Sequence, residues 1–308
     1  MRKIKTSLIV LGTLFFLSAC SLPGLKTSRN ANTIAITGGI TTEAQILGSI
    51  VAEMIEHYTD KETTIINNLG TTNINHQAML NGDAQISAAR YTGTDVASTL
   101  QLDPITDPKA AFDTVKREFA SRFDQTWFPS YGFENSYVFL VREDTAKKFN
   151  LKTVSDLADV ADQLVIGADR AWMTREGDGY PGFTKAYGFS FASILPMQIG
   201  LVYDAVATGH MDVVLGYSTD GRITSNQLVM LEDDRHFFPP YDASPVATNA
   251  ILEQVPELTE IFARLEKTID TTTMQQLNAK ADNELLEPSI VAKQFLEVHD
   301  YFEGGTTK

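Results

Sequence analysis

The sequence predicts an α/β protein folded as two similar lobes. Three observations carry that prediction. Strand-like and helix-like segments alternate from Thr33 onward. About 275 of the 308 residues lie beyond the N-terminal leader and its tether, enough for two core-forming units. The stretch AMLNGDAQISAARYT at 78–92 is echoed by AVATGHMDVVLGYS at 205–218, with one residue of gap. Each reads as a helix end, a Gly stop, an Asp, a buried strand, and then a Tyr followed by a hydroxyl residue.

The elements follow in order. Thr33 to Thr37 is a short β-branched run. Thr42 to His57 carries Ile46, Ile50, Met54 and Ile55 at helical spacing. Thr63 to Asn67 is strand-like. Asn73 to Leu80 is helical and stops at Asn81-Gly82, and Gln85 to Ala89 is a strand. This β-α-β-α-β order predicts a largely parallel sheet covered by helices. The middle repeats the scheme, with strands at Tyr137–Val141, Leu164–Gly167 and Met211–Gly216 and helices at Val154–Ala161 and Met197–Thr208. Thr153 or Ser155 would cap the first of these helices. The C-terminal region reads as three helices, Pro256–Asp270, Thr271–Asn283 and Pro288–His299.

The N-terminus sets the compartment. Arg2, Lys3 and Lys5 precede an apolar stretch from Leu8 to Leu17 that is too short for a membrane-spanning helix. Leu17-Ser18-Ala19-Cys20 follows, and Cys20 is the single cysteine of the chain. We read residues 1–19 as a signal peptide and Cys20 as an acylated first residue of the mature protein. Residues 20–32 then form a flexible tether, placing the body at the extracellular face of the membrane. With no second cysteine there is no internal disulfide and no thiolate metal site. The net charge of −14 moves near −17 once the three basic residues of the leader are removed. Such a surface is a poor partner for nucleic acid and does not repel a cationic or zwitterionic solute.

Catalytic material is sparse. No G-x-S-x-G elbow, P-loop or H-E-x-x-H occurs, and the five histidines are scattered. No enzyme, metal or cofactor is expected. Four tyrosines instead sit in loop-like, Gly-, Pro- or hydroxyl-flanked positions: Tyr91, Tyr137, Tyr217 and Tyr241. Tyr91 and Tyr217 fall just past strand ends in the two echoed stretches, where open α/β sheets bind ligands. Aromatic faces are the means of holding a quaternary ammonium ion, which has no N–H to donate. Each face contributes roughly 0.5–2 kcal/mol when desolvated.

From about Ile34 to the C-terminus the chain resembles the glycine betaine/carnitine/choline-binding lipoproteins of Gram-positive ABC importers. The matching stretches are His76-Gln77-Ala78-Met79 with Asn81-Gly82-Asp83, Arg90 to Asp95, Ser130-Tyr131-Gly132-Phe133, Gly177-Asp178-Gly179-Tyr180, Pro196 to Val206, Tyr217 to Arg222, and Phe237-Phe238-Pro239-Pro240-Tyr241. The resemblance implies a two-lobed, periplasmic-binding-protein-like (type II) fold with the ligand cleft between the lobes. It implies a monomer that delivers its ligand to a permease driven by a separate ATPase. Lobe 1 would comprise 33–136 plus 238–308, and lobe 2 would comprise 137–237.

It further implies that Tyr91, Tyr137, Tyr217 and Tyr241 form an aromatic cage and that Thr94 contacts the ligand carboxylate. Choline-restricted relatives tend to carry Asp at that place, so Thr94 favours a betaine-tolerant site. One departure stands out. Where the family often has a Gln that holds the polar end of the ligand, this chain has Gly39. Backbone N–H groups or Thr41 could substitute at the helix start. Alternatively, the pocket takes a different or bulkier betaine-like or cationic metabolite.

Overall fold

The computed structural model describes residues 32–175 and 177–302. The expected leader, Cys20 and all of the tether before Asn32 lie outside the described residues. The strands are β1 (Thr33–Thr37), β2 (Glu62–Ile66), β3 (Ile86–Tyr91), β4 (Gln125–Trp127), β5 (Tyr137–Arg142), β6 (Val165–Asp169), β7 (Ser193–Met197), β8 (Val213–Tyr217), β9 (Leu228–Leu231) and β10 (Ala243–Thr248). The α-helices up to β7 are α1 (Thr42–Tyr58), α2 (Thr72–Leu80), α3 (Thr92–Ser98), α4 (Pro108–Phe123), α5 (Glu143–Phe149), α6 (Arg170–Thr174) and α7 (Tyr180–Tyr187). Those after β7 are α8 (Val202–Ala207), α9 (Gly221–Ser225), α10 (Asn249–Gln254), α11 (Glu257–Arg264), α12 (Thr271–Asp282) and α13 (Pro288–Val298). Among the described residues no helix is long and apolar enough to cross a membrane.

Two five-stranded sheets result, in the orders β2-β1-β3-β10-β4 and β7-β6-β8-β5-β9. Strand alternation places a core on each face of each sheet. Ile34 and Ile36 of β1 face α1 and the C-terminal helices, whereas Ala35 faces the cluster of Val115, Phe119 and Trp127. In the second sheet Phe139 and Leu215 face Trp172 and Phe183, whereas Leu140 and Val214 face Val202 and Tyr203. The fold is therefore α/β with one layered lobe around each sheet.

Each sheet keeps the expected parallel strands but carries one reversed strand. β1 pairs with β3 in parallel, and so does β6 with β7 and β8. β10, however, runs antiparallel to β3 and β4, and β5 runs antiparallel to β8 and β9. These reversed strands are the first ones the chain forms on arriving in each sheet from the other. The two crossings bond to one another: Glu134 bridges Asp242, and the Asn135 N–H donates to the Tyr241 carbonyl at 3.1 Å.

Three helix expectations are also corrected. Val154–Ala161 forms only a 3₁₀ turn, Ser155–Asp159, with Val154 at its N-cap. The Asp156 carboxylate takes the Lys152 and Thr153 N–H groups, so the chain turns instead of winding a helix. Met197–Thr208 begins as the end of β7 and a 3₁₀ turn, and α-helix starts at Val202. β7 is an edge strand, the place where a sheet tolerates a proline, here Pro196. Pro256–Asp270 is helical only over α11. Beyond it Lys267 takes φ 56° and the Lys267 and Ile269 N–H groups bond the Ser130 and Tyr131 carbonyls, which ends the helix.

Candidate functional site

Three of the four tyrosines, Tyr137, Tyr217 and Tyr241, are joined by ring contact or hydrogen bonds where the sheets and the crossings meet, while Tyr91 bonds Glu43 at the end of β3. Tyr137 opens β5 and Tyr217 closes β8, and the two are cross-strand partners. Their rings lie 5.1 Å apart at 42°. Phe238, on the second crossing, adds a ring 5.6 Å from Tyr137. Tyr217 is fixed from behind, since its N–H donates to the Tyr203 hydroxyl at 2.8 Å.

Tyr241 joins this group through charge. Its hydroxyl donates to Asp178 at 3.0 Å, and Asp178 pairs with Arg175 at 3.3 Å. Arg175 in turn donates to the Tyr137 hydroxyl at 3.0 Å, with its guanidinium 5.3 Å from the ring centre. Burial pushes both phenols, Tyr137 and Tyr241, well above the usual tyrosine range. They stay neutral and present an electron-rich face to a cation. Arg175 and Asp178 were not legible as site residues, because Arg175-Glu176-Gly177-Asp178-Gly179 reads as an ordinary polar turn.

Tyr91 closes β3, opposite Ala243 of β10, two residues after Tyr241. The turn beyond it is held tightly. The Gly93 N–H donates to the Pro240 carbonyl at 2.8 Å. A Cβ on Gly93 would stand 2.7 Å from that oxygen and 3.2 Å from the Tyr241 ring. Glycine there lets the Tyr91 turn lie against Tyr241. Arg90 and Asp95 clasp the turn from inside: Arg90 Nε donates to Asp95 at 2.9 Å, a second guanidinium contact makes the pair bidentate, and the Thr99 hydroxyl donates to Asp95 at 2.6 Å. Thr94 sits half-buried in the first turn of α3, and its carbonyl accepts from the Ser98 hydroxyl.

Gly39 lies in the β1–α1 turn, where a Cβ would come within 2.7 Å of Ala44 Cβ. A glutamine there would have to displace the start of α1. Thr41, the other residue considered for the polar end, uses its hydroxyl to cap α1 by accepting from Ala44 N–H at 3.3 Å. Glu43, in the first turn of α1, is 3 % exposed and receives the Tyr91 hydroxyl at 2.5 Å and Asn135 Nδ2 at 3.0 Å. From sequence it reads only as an acid favoured at a helix N-terminus.

A cavity of about 1030 Å³ opens beside Tyr137 and Phe238, lined also by Glu134, Ser136, Asp233 and His236. It touches the tyrosine group only at Tyr137. The Tyr137–Tyr217 pair is therefore defined by ring geometry and not by that cavity.

Comparison with known proteins matches residues 32–298 to the substrate-binding domain of ABC-type glycine betaine transport systems. The carnitine transport binding protein OpuCC of Listeria monocytogenes is 54 % identical over 298 residues, covering 97 % of this chain and 96 % of the relative. EgtU of Helicobacter pylori, an ergothioneine transport permease/ergothioneine binding protein, is 33 % identical, with 96 % of this chain matched to 53 % of that protein. A crystal structure described as a glycine betaine/carnitine/choline ABC transporter superposes with a TM-score of 0.85 at 50 % identity, over 88 % of this chain and all of the other. With two sheets, hydrogen-bonded crossings and a match along nearly the whole described body, this chain belongs to the family of substrate-binding domains of ABC-type glycine betaine transport systems.

Proposed function

We propose that this chain captures a small quaternary ammonium solute, such as carnitine, glycine betaine or choline, and hands it to an ABC permease driven by a separate ATPase. Tyr91, Tyr137, Tyr217 and Tyr241 form the cage for the onium head. Thr94 and the backbone around Gly39 serve the polar end. The observation that carries this reading is the Tyr137–Tyr217 pair, two rings 5.1 Å apart at facing strand ends with Tyr241 tied to Tyr137 through Asp178 and Arg175. The Listeria relative, a carnitine transport binding protein, supports the same ligand class.

The lobes are taken as 33–136 plus 238–308 and 137–237, in keeping with the membership of the two sheets. The protein acts as a monomer at the outer face of the membrane, anchored through lipid on Cys20. A ligand of about eight heavy atoms, such as glycine betaine, has a binding ceiling near −12 kcal/mol. Micromolar affinity takes about −8 kcal/mol of that. All four faces and a carboxylate contact are thus needed together.

A second reading, a bulkier betaine-like ligand, is favoured by Gly39, which offers no side chain to the polar end, and by the ergothioneine relative. Calorimetric titration of the body from Ser21 with glycine betaine, carnitine and choline, beside Tyr217→Ala, tests both. Micromolar binding lost in the variant is expected, with carnitine or glycine betaine tighter than choline. No heat with any of the three in folded protein overturns the first reading and selects the second.

A further inference from the structure

Glu43 is a charged group held out of water among polar side chains that donate to it. Its carboxylate is 3 % exposed and lies in the first turn of α1, on the lobe of the first sheet. Burying a carboxylate is unfavourable unless its oxygens are fully hydrogen-bonded. Here the partners come from separate parts of the molecule. The Tyr91 hydroxyl donates from the end of β3 at 2.5 Å. Asn135 Nδ2 donates from the first crossing at 3.0 Å. Asn278 Nδ2, on α12, reaches the other carboxylate oxygen at 3.5 Å and bonds the Thr219 carbonyl at 2.8 Å. Thr219 stands two residues past Tyr217, on the lobe of the second sheet, and is 2 % exposed. Beside it Gln275 Nε2 donates to the Ser218 carbonyl at 2.6 Å.

We propose that Glu43 is a positioning residue for the cage, holding the Tyr91 ring by its hydroxyl and tying that ring to the strand end that carries Tyr217. This rests on the onium-binding reading above. A tyrosine at a strand end can exchange rotamers unless packing or a bond from its hydroxyl selects one. A cation–π face contributes only when it is held over the ion. A charge-assisted bond to a buried carboxylate is a strong anchor. Through Asn278, whose amide also bonds the Thr219 carbonyl at 2.8 Å, the same carboxylate is linked to the segment that follows Tyr217.

The probe is tetramethylammonium, which carries the head group and no carboxylate, with carnitine titrated in parallel. Tyr91→Phe keeps the ring and removes the anchoring hydroxyl. Glu43→Gln keeps the shape and removes the charged acceptor. Each is expected to weaken tetramethylammonium about 10-fold, and the double variant also about 10-fold, because both act on one interaction. A purely structural role for Glu43 gives independent losses, about 100-fold in the double variant, and overturns the proposal. So does unchanged affinity in Tyr91→Phe, which decides alone should melting show that Glu43→Gln does not fold. Wild type that binds neither probe overturns the onium reading, and this inference with it.

Discussion

Asp95 and Arg90 stand at the two ends of the turn that carries Tyr91 and Thr94, both essentially without solvent exposure. Removing one partner of a buried pair leaves the other charge uncompensated, at a cost of about 3–5 kcal/mol. Asp95→Asn should therefore lower the unfolding free energy by that amount in a denaturant titration. His76 packs nearby against Phe119 and Phe123, with ring centres 5.6 and 4.4 Å away, and neither of its nitrogens has a partner among the described residues. Burial, then the Arg90 charge, push it down from 6.5 to about 4. The unfolded chain takes up a proton in that window which the folded protein refuses. Stability is thus whole above pH 6.5 and is lost as pH falls toward 4. His76→Leu should flatten that part of the pH profile of melting; an unchanged slope would place the titration elsewhere.

At the scale of elements, the two lobes meet where α9 lies on α12. A Cβ on Gly221 would run into the backbone of Ala279, so glycine is what allows the helices to touch. Thr224 and Gln275, at 3.0 Å, and Asn283 and Ser225, at 2.8 Å, extend the contact. Gly221→Ala should cost about 1–3 kcal/mol by overpacking. It should also weaken ligand, because the Tyr217 strand end enters α9 directly. Gly200→Ala, where a Cβ meets nothing within 4 Å, is the control and should stay within about 0.5 kcal/mol. Equal effects of the two changes would dismiss the α9–α12 contact as a constraint.

For the whole molecule, a ligand held by both lobes stabilises only the folded state. At 100 times Kd it adds about 2.7 kcal/mol. For a body of this size that raises Tm by about 5 °C. Carnitine should produce this shift in wild type and none in Tyr217→Ala. A shift that survives the variant would place the ligand away from Tyr217.

The long amphipathic runs and the strand-end tyrosines were legible in the sequence. The α1 pattern of Ile46, Ile50, Met54 and Ile55 became a fully buried face, and the echo of 78–92 in 205–218 became β3 and β8, each ending in its tyrosine. Local spacing determines such features, because a helix face and a strand end depend on neighbours a few residues away. The reversed strands β5 and β10 were not legible, since direction in a sheet depends on which strand the chain meets after a crossing. Neither were Glu43, Arg175 and Asp178 as partners of Tyr91, Tyr137 and Tyr241. Their partners lie 48 residues away for Glu43 and Tyr91, 38 for Arg175 and Tyr137, and 63 for Asp178 and Tyr241. Only the tertiary structure, by excluding water around those groups, turns ordinary polar residues into the hydrogen bonds that hold the rings.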